Sequence, residues 1–364
     1  MKLSIDPSIQ RVPFYPKAAL YGADGGWVRL SSNENPYPPS PVVIEAMASG
    51  LLDVNRYPES ESELKGLLAN RYGLKPQNVL IGNGSNELIE TALKALKIKD
   101  RTEVLVADPS FAFYRIAACI YGYNPVRVPL DSLRIDLVRT ASMVNERTRV
   151  IFLCNPNNPT GTIFDDRAFE AFLESLPPEV LVVVDEAYAE FSDSRQFPRS
   201  MSYIGRHPVL VMRTFSKAYG LAGLRVGYGM AEESLVSFLE RTKQPFSVNM
   251  MALIAARASL GDERHLASVL ENTRKGKKYL YDTLKALGLD VIPSEANFVT
   301  VRIGAEAESL VKKLFEKKIL VRWLGGYGLP EYIRVTVGTM DENRVFAEAL
   351  ARLVAGREGT RSSR

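Results

Sequence analysis

Five short apolar runs, at residues 78–81, 103–107, 149–153, 180–184 and 209–212, constrain this chain more than any other feature. They are rich in valine, leucine and isoleucine and apolar on both faces, as strands of a sheet covered on both sides must be. Helix-length segments such as 86–96 and 166–176 separate them. That rhythm predicts crossover connections and an α/β fold with a mostly parallel central sheet. A further helix is predicted from Ser40-Pro41 to Met47.

The rhythm changes after 241–246. Helical stretches at 250–260 and 263–287 are followed by strand-like 296–301, a helix near 305–317, strand-like 319–322 and 332–337, and a helix at 341–354. This predicts a smaller C-terminal α/β unit with antiparallel strands. The expected organisation is an N-terminal arm (1–30), a large domain (31–245), a small domain (246–356) on which the arm can pack, and a disordered tail (357–364). A chain of 364 residues is long enough for two such units.

Composition removes several function classes. Apolar residues make up 46% and charged residues 24%, the proportions of a soluble globular protein. The net charge of +4 is small and lies partly in the tail, and no basic stripe interleaves with aromatics, so no nucleic-acid partner is expected. Only His207 and His265 are histidines, which argues against a histidine-rich metal site, and no metal is expected. Cys119 and Cys154 both sit in apolar contexts and read as buried, reduced thiols, which suits a cytoplasmic location. The start of the chain lacks an apolar leader and no run has membrane-spanning length, so no membrane association is expected.

A polar motif follows each of the five apolar runs. They are Gly82-Asn83-Gly84-Ser85-Asn86-Glu87, Asp108-Pro109-Ser110-Phe111, the stretch from Asn155 to Gly161, Asp185-Glu186-Ala187-Tyr188, and Thr214-Phe215-Ser216-Lys217. Each alone is ordinary turn chemistry. In an open α/β sheet, however, ligands bind outside the carboxyl ends of the parallel strands, and five motifs on one edge make a site.

The last motif carries the most chemistry. Lys217 lies between hydroxyl residues and a glycine-rich run that ends in Arg225. A lysine forms a Schiff base only as the neutral amine, which burial beside cations favours. Hydroxyls and an arginine suit a phosphate. An aldehyde bearing a phosphate meets both demands, and pyridoxal phosphate is such a molecule. Gly84-Ser85-Asn86 opens a helix, whose N-terminus can hold a phosphate, be capped by the serine or asparagine, or do both. Asp185 ends a wholly apolar run, where a carboxylate needs a cation such as a protonated pyridine nitrogen, unless it caps a helix or joins a salt bridge. Tyr188 and Asn158 are placed to reach the ring oxygen, and Phe111 to stack on the ring. Arg334 stands in an alternating strand on the same face as Tyr332 and Thr336. From alternation alone it reads as solvent-facing; held inside, it would fork onto a carboxylate or phosphate.

In this order and spacing, Asn-Pro-x-Asn-Pro-Thr-Gly, Asp-x-Ala-Tyr and Ser-Lys-x-x-Gly-x-x-Gly-x-Arg resemble the fold-type-I, pyridoxal-phosphate-dependent aminotransferases over essentially the whole chain. Three further segments resemble the histidinol-phosphate aminotransferase branch: 30–37, Asn55-Arg56-Tyr57-Pro58 and 325–330. The resemblance implies that Lys217 is the Schiff-base lysine, Asp185 the pyridinium partner, and Tyr188 and Asn158 the ligands of the ring oxygen. It gives Ser85, Asn86, Ser216, Arg225 and Thr214 to the cofactor phosphate, with Tyr57 reaching that phosphate from the other subunit of a homodimer. It gives Arg334, with Tyr15, Asn35 and Arg322, to small-molecule substrates: a phosphorylated amino alcohol or amino acid and 2-oxoglutarate or glutamate. An aromatic amino acid aminotransferase and a threonine-phosphate decarboxylase would share the same core residues. A non-catalytic module that senses the cofactor would be expected to follow a DNA-binding region, and the sequence opens on the arm instead.

Overall fold

A computed structural model describes residues 7–10, 12–15, 26–58, 60–99 and 101–361. The expected arm and tail fall partly outside these residues. At its centre is a seven-stranded sheet in the spatial order Val79–Gly82, Gly227–Met230, Val209–Thr214, Leu181–Asp185, Thr148–Cys154, Glu103–Asp108, Asn124–Pro129. All neighbours are parallel except Gly227–Met230, which runs antiparallel to both of its partners.

Both faces of this sheet are buried, which is why its strands lack alternation. In Thr148–Cys154, the side chains of Val150, Phe152 and Cys154 enter one core, while Ile151 and Leu153 enter another. The first core is closed by Leu88, Ile89 and Ala92 of helix Gly84–Ala95 and by Tyr114 and Ala117 of helix Phe113–Ile120. The second is closed by Phe169, Phe172 and Leu173 of helix Asp166–Glu174, whose N-cap Asp165 accepts a hydrogen bond from the Ala168 amide. Each fully buried Val, Leu or Phe contributes roughly 2 kcal/mol relative to exposure, so a sheet filled on both faces is strongly driven.

Two strands of the sheet were not predicted, and both have physical reasons for hiding. Asn124–Pro129 is an edge strand whose prolines lack donors and whose burial is slight, so it carries no apolar run. Gly227–Met230 is glycine-rich because the backbone comes close: a Cβ on Gly227 would stand 2.7 Å from the Ser85 amide nitrogen.

A four-stranded antiparallel sheet, in the order Arg322–Trp323, Tyr332–Thr336, Phe298–Arg302, Asp290–Ile292, lies in the C-terminal part with its own core around Leu280, Val299, Ile333 and Phe346. The single strand expected over 319–322 is two: Ile319–Leu320 pairs in parallel with Val28–Arg29, whereas Arg322–Trp323 joins the four-stranded sheet. Leu30 is buried in that same C-terminal core. Helix Met250–Gly261, expected to open the second unit, packs instead with helices Pro41–Gly50 and Ser62–Tyr72 on the core that holds Phe215 and Tyr228. The last helix, Met340–Arg361, continues through residues 357–361, where a disordered tail was expected. Cys154 is buried, but Cys119 is only half-buried. No helix among the described residues is long and apolar enough to cross a membrane.

Candidate active site

The carboxyl ends of the parallel strands open on a cavity of about 510 Å³. All five motifs reach it. Its lining includes Ser85 and Asn86, Phe111, Asn158, Asp185 and Tyr188, and Thr214, Ser216, Lys217 and Arg225, with Tyr15, Arg322 and Arg334 from distant parts of the chain. Thirteen of the fifteen residues expected at the site therefore meet in one place.

Lys217 follows the strand that ends at Thr214, so its backbone is held by the sheet. Its Nζ donates to the Ser32 carbonyl at 3.2 Å and stands 5.7 Å from the Tyr188 ring centre. Burial, helped by the positive charge of Arg334, lowers its pKa to about 8, so roughly a tenth of the amine is neutral at pH 7, far more than for an ordinary lysine. Asp185 is 3% exposed. Its carboxylate accepts from the Tyr114 hydroxyl at 2.7 Å and from the Ala187 amide at 3.1 Å. Burial pushes its pKa up to about 6 despite those hydrogen bonds. A carboxyl so placed lacks a full cationic partner, which a protonated ring nitrogen would supply.

Arg225 marks the other end of the cavity. It holds a left-handed backbone (φ 61°), a conformation that costs a non-glycine residue about 1 kcal/mol or more. Its Nη1 donates to the Ala222 carbonyl at 2.9 Å and to Ser216 Oγ at 3.3 Å. The guanidinium lies over the start of helix Gly84–Ala95, and a Cβ on Gly84 would come within 2.4 Å of Arg225 Nη2. A helix N-terminus, a serine hydroxyl and a guanidinium thus converge, which is an anion cradle. Thr214 contributes less, because its hydroxyl accepts from the Ser216 amide at 3.1 Å and is used within the loop.

Arg334 overturns the solvent-facing reading: it is 3% exposed. Nη2 donates to the Ser31 carbonyl at 2.8 Å and Nη1 to Asn158 Oδ1, while Nε has no partner. Segment 31–34 covers the strand on that side, with the Asn33 amide donating to Thr336 Oγ1 at 2.9 Å. The Tyr188 hydroxyl accepts from Asn33 Nδ2 at 3.0 Å. Tyr15 meets Phe111 edge-on at 6.3 Å.

Two expected residues lie elsewhere. Asn35 is outside the cavity, with its amide engaged at both ends: Nδ2 donates to the Ala218 carbonyl at 3.1 Å and Oδ1 accepts from the Tyr37 amide at 3.0 Å. It holds the lysine loop rather than facing a ligand. Tyr57 is 77% exposed, stacks on Phe246 at 4.6 Å, and lines a separate surface cleft. Conversely, Tyr114 was missed, although it lies just after the Asp108-Pro109-Ser110-Phe111 motif, in helix Phe113–Ile120, and its hydroxyl binds Asp185. Ser32, Asn33, Glu34 and Tyr327 also line the cavity, and all fall inside the segments of the branch resemblance. Among the described residues, no group of three His, Cys, Asp or Glu side chains could hold a metal ion.

The residues present fit pyridoxal phosphate. An anion cradle, a buried carboxyl raised in pKa and a buried amine lowered in pKa occur in one cavity with an aromatic wall. Residues 26–350 match the family Aminotransferase class I and II. A histidinol-phosphate aminotransferase of Moorella thermoacetica is 41% identical over 331 residues, covering 90% of this chain and 86% of that protein. The crystal structure of histidinol-phosphate aminotransferase from Sinorhizobium meliloti in complex with pyridoxal-5'-phosphate superposes with a TM-score of 0.87 at 28% identity, over 97% of this chain and 98% of that one. L-threonine-O-3-phosphate decarboxylase from Porphyromonas gingivalis superposes with a TM-score of 0.77 at 25% identity, over 90% and 99% of the two chains.

Proposed function

This chain belongs to the aminotransferase class I and II family, and on that footing we propose that it exchanges an amino group reversibly between L-histidinol phosphate and 2-oxoglutarate, using pyridoxal phosphate. One observation carries the reading: Lys217, a buried amine with its pKa near 8, shares a cavity with Arg334, a buried arginine whose Nε has no partner. The Moorella thermoacetica relative supports this choice of donor.

Bound in the cavity, pyridoxal phosphate supplies an electron-accepting ring. Ser85, Asn86, Ser216 and Arg225 would hold its phosphate, with Thr214 as support. Asp185 would face the ring nitrogen as a carboxylate, its orientation set by the Tyr114 hydroxyl and the Ala187 amide. Tyr188 and Asn158 would hold the ring oxygen, and Phe111 would cover the ring. The neutral Lys217 Nζ would take the proton from the substrate carbon as general base and, as general acid, deliver it to the carbon that was the cofactor's aldehyde carbon. Arg334 and Arg322 would take the donor's phosphate and, in the second half-reaction, the carboxylate of 2-oxoglutarate, since forked guanidinium groups suit both anions.

The assembly in this reading is a homodimer. Exposed Leu51, Leu52, Val54, Tyr57 and Phe246 give an apolar surface for a second copy, from which Tyr57 would reach the cofactor phosphate. A large unit on the seven-stranded sheet and a small unit on the four-stranded one complete it, in a cytoplasmic setting that keeps the Cys154 thiol reduced.

A donor panel tests the function: histidinol phosphate, phenylalanine, tyrosine and threonine phosphate, each with 2-oxoglutarate. Histidinol phosphate is expected to give the highest kcat/KM. Preference for phenylalanine or tyrosine would replace the reading with an aromatic aminotransferase. Release of carbon dioxide from threonine phosphate would replace it with the decarboxylase, the second reading that the Porphyromonas gingivalis neighbour supports.

A further inference from the structure

Two carboxylates line the cavity among the described residues, Asp185 and Glu34. Asp185 is spoken for at the ring end, and Arg225 at the phosphate end. The charged groups left for the amino donor are Lys217, Arg322, Arg334 and Glu34. Three are basic and serve anions or the proton transfer. Glu34 is the one acidic group facing the donor.

Its backbone is fixed beside the reacting groups. The Ser31 carbonyl accepts from Arg334, the Ser32 carbonyl from Lys217 Nζ, and Asn33 binds both Thr336 and Tyr188. Asn33 takes a left-handed turn (φ 55°), which sets the direction of the chain at Glu34. The side chain, in contrast, is held loosely. Its carboxylate accepts from Arg29 Nη2 at 3.2 Å, in a pair that is 43% and 35% exposed. Exposed pairs of this kind contribute little and exchange readily. The negative charge of Glu34 also opposes the effect of Arg334 at Lys217, so its field reaches the centre of the cavity.

We propose that Glu34 reads the basic ring of the amino donor: its carboxylate leaves Arg29 and accepts a hydrogen bond from a ring N–H, while the arginines hold the donor's anionic end. This rests on the donor assigned above. It makes Glu34 a specificity residue, because a carboxylate facing a donor without a ring N–H gains nothing and repels an added anion. Glutamate, which must use the same cavity in the other half-reaction, has no such ring and supplies an internal comparison.

The test is single-turnover kinetics of the cofactor-loaded enzyme with histidinol phosphate and with glutamate, for wild type, Glu34→Gln and Glu34→Asp. In Glu34→Gln the ratio of the two specificity constants, histidinol phosphate over glutamate, is expected to fall about tenfold, and Glu34→Asp is expected to recover part of it. An equal loss for both substrates would mean that Glu34 acts through Lys217 or through folding, and would overturn the inference. An unchanged ratio would overturn it too. A wild-type enzyme inert towards histidinol phosphate would sink the donor assignment as well, an outcome separable from the other two.

Discussion

Asp185 and Glu186 are consecutive and almost wholly buried, yet they face opposite environments. Behind the strand ends, Glu186 accepts from Arg213 Nη2 at 2.7 Å and from Nε at 3.0 Å. Arg213 also donates to Glu190 at 3.3 Å and lies over the Tyr72 ring, whose hydroxyl meets that of Tyr228 at 2.8 Å. In front, Asp185 has a hydroxyl and one amide, and burial disfavours the charged form of the nearby Lys217. The back of the sheet ties Glu186 and Glu190 to one guanidinium within the chain, leaving Glu186 Oε1 without a partner, and acts as scaffold. The front leaves its charges incompletely matched, which costs stability and creates a receptor for a charged ligand.

The contrast can be broken in four ways, taken from the largest effect down. Lys217→Ala should cut transamination on the order of 10⁴-fold in steady-state assays of cofactor-loaded protein; substantial turnover would remove the lysine from the proton transfer. Arg213→Met leaves Glu186 and Glu190 buried without their guanidinium and should lower stability by roughly 3–5 kcal/mol in urea denaturation. A loss no larger than that of a surface substitution would show the back to be no scaffold.

Asp185→Asn should do the opposite in the cofactor-free chain. The folded carboxyl titrates near 6 against an ordinary value of 3.8, so the wild type loses stability as pH rises between them. The amide escapes that cost, and the variant should be more stable above pH 6 by up to roughly 3 kcal/mol, with the advantage vanishing below pH 4. A variant less stable than wild type at pH 7 would mean that the carboxylate already has its partner. The smallest effect concerns the amine. With its pKa near 8, Lys217 in cofactor-free protein should capture pyridoxal phosphate about tenfold faster on a plateau above pH 8 than at pH 7. Stopped-flow absorbance would follow it, and a rise continuing to pH 10.5 would indicate an ordinary exposed lysine.

Much of this was legible in the sequence, for reasons tied to particular residues. Apolar runs such as Leu181-Val182-Val183-Val184 announce a strand because both of its faces are buried, and the polar residues that follow announce the sheet edge. Asn124–Pro129 and Gly227–Met230 were hidden because an edge strand needs little burial and a crowded strand needs glycine. The segment 30–37 was recognised as a unit, but which of its side chains faced the cavity was misassigned: Glu34 lines it and Asn35 does not.

Local sequence therefore determined the sheet, its carboxyl edge and the residues presented there, because strand burial and turn chemistry act over a few neighbouring positions. Tertiary structure decided what depended on distant segments. Arg334 reads as a surface residue by alternation, and is buried because segment 31–34, some 300 positions away in the chain, closes over its strand. Tyr114 becomes a ligand of Asp185 only when helix Phe113–Ile120 packs on the sheet. The pKa values near 8 and 6 at Lys217 and Asp185 likewise belong to the assembled cavity, since desolvation comes from everything packed around a group and not from its neighbours in sequence.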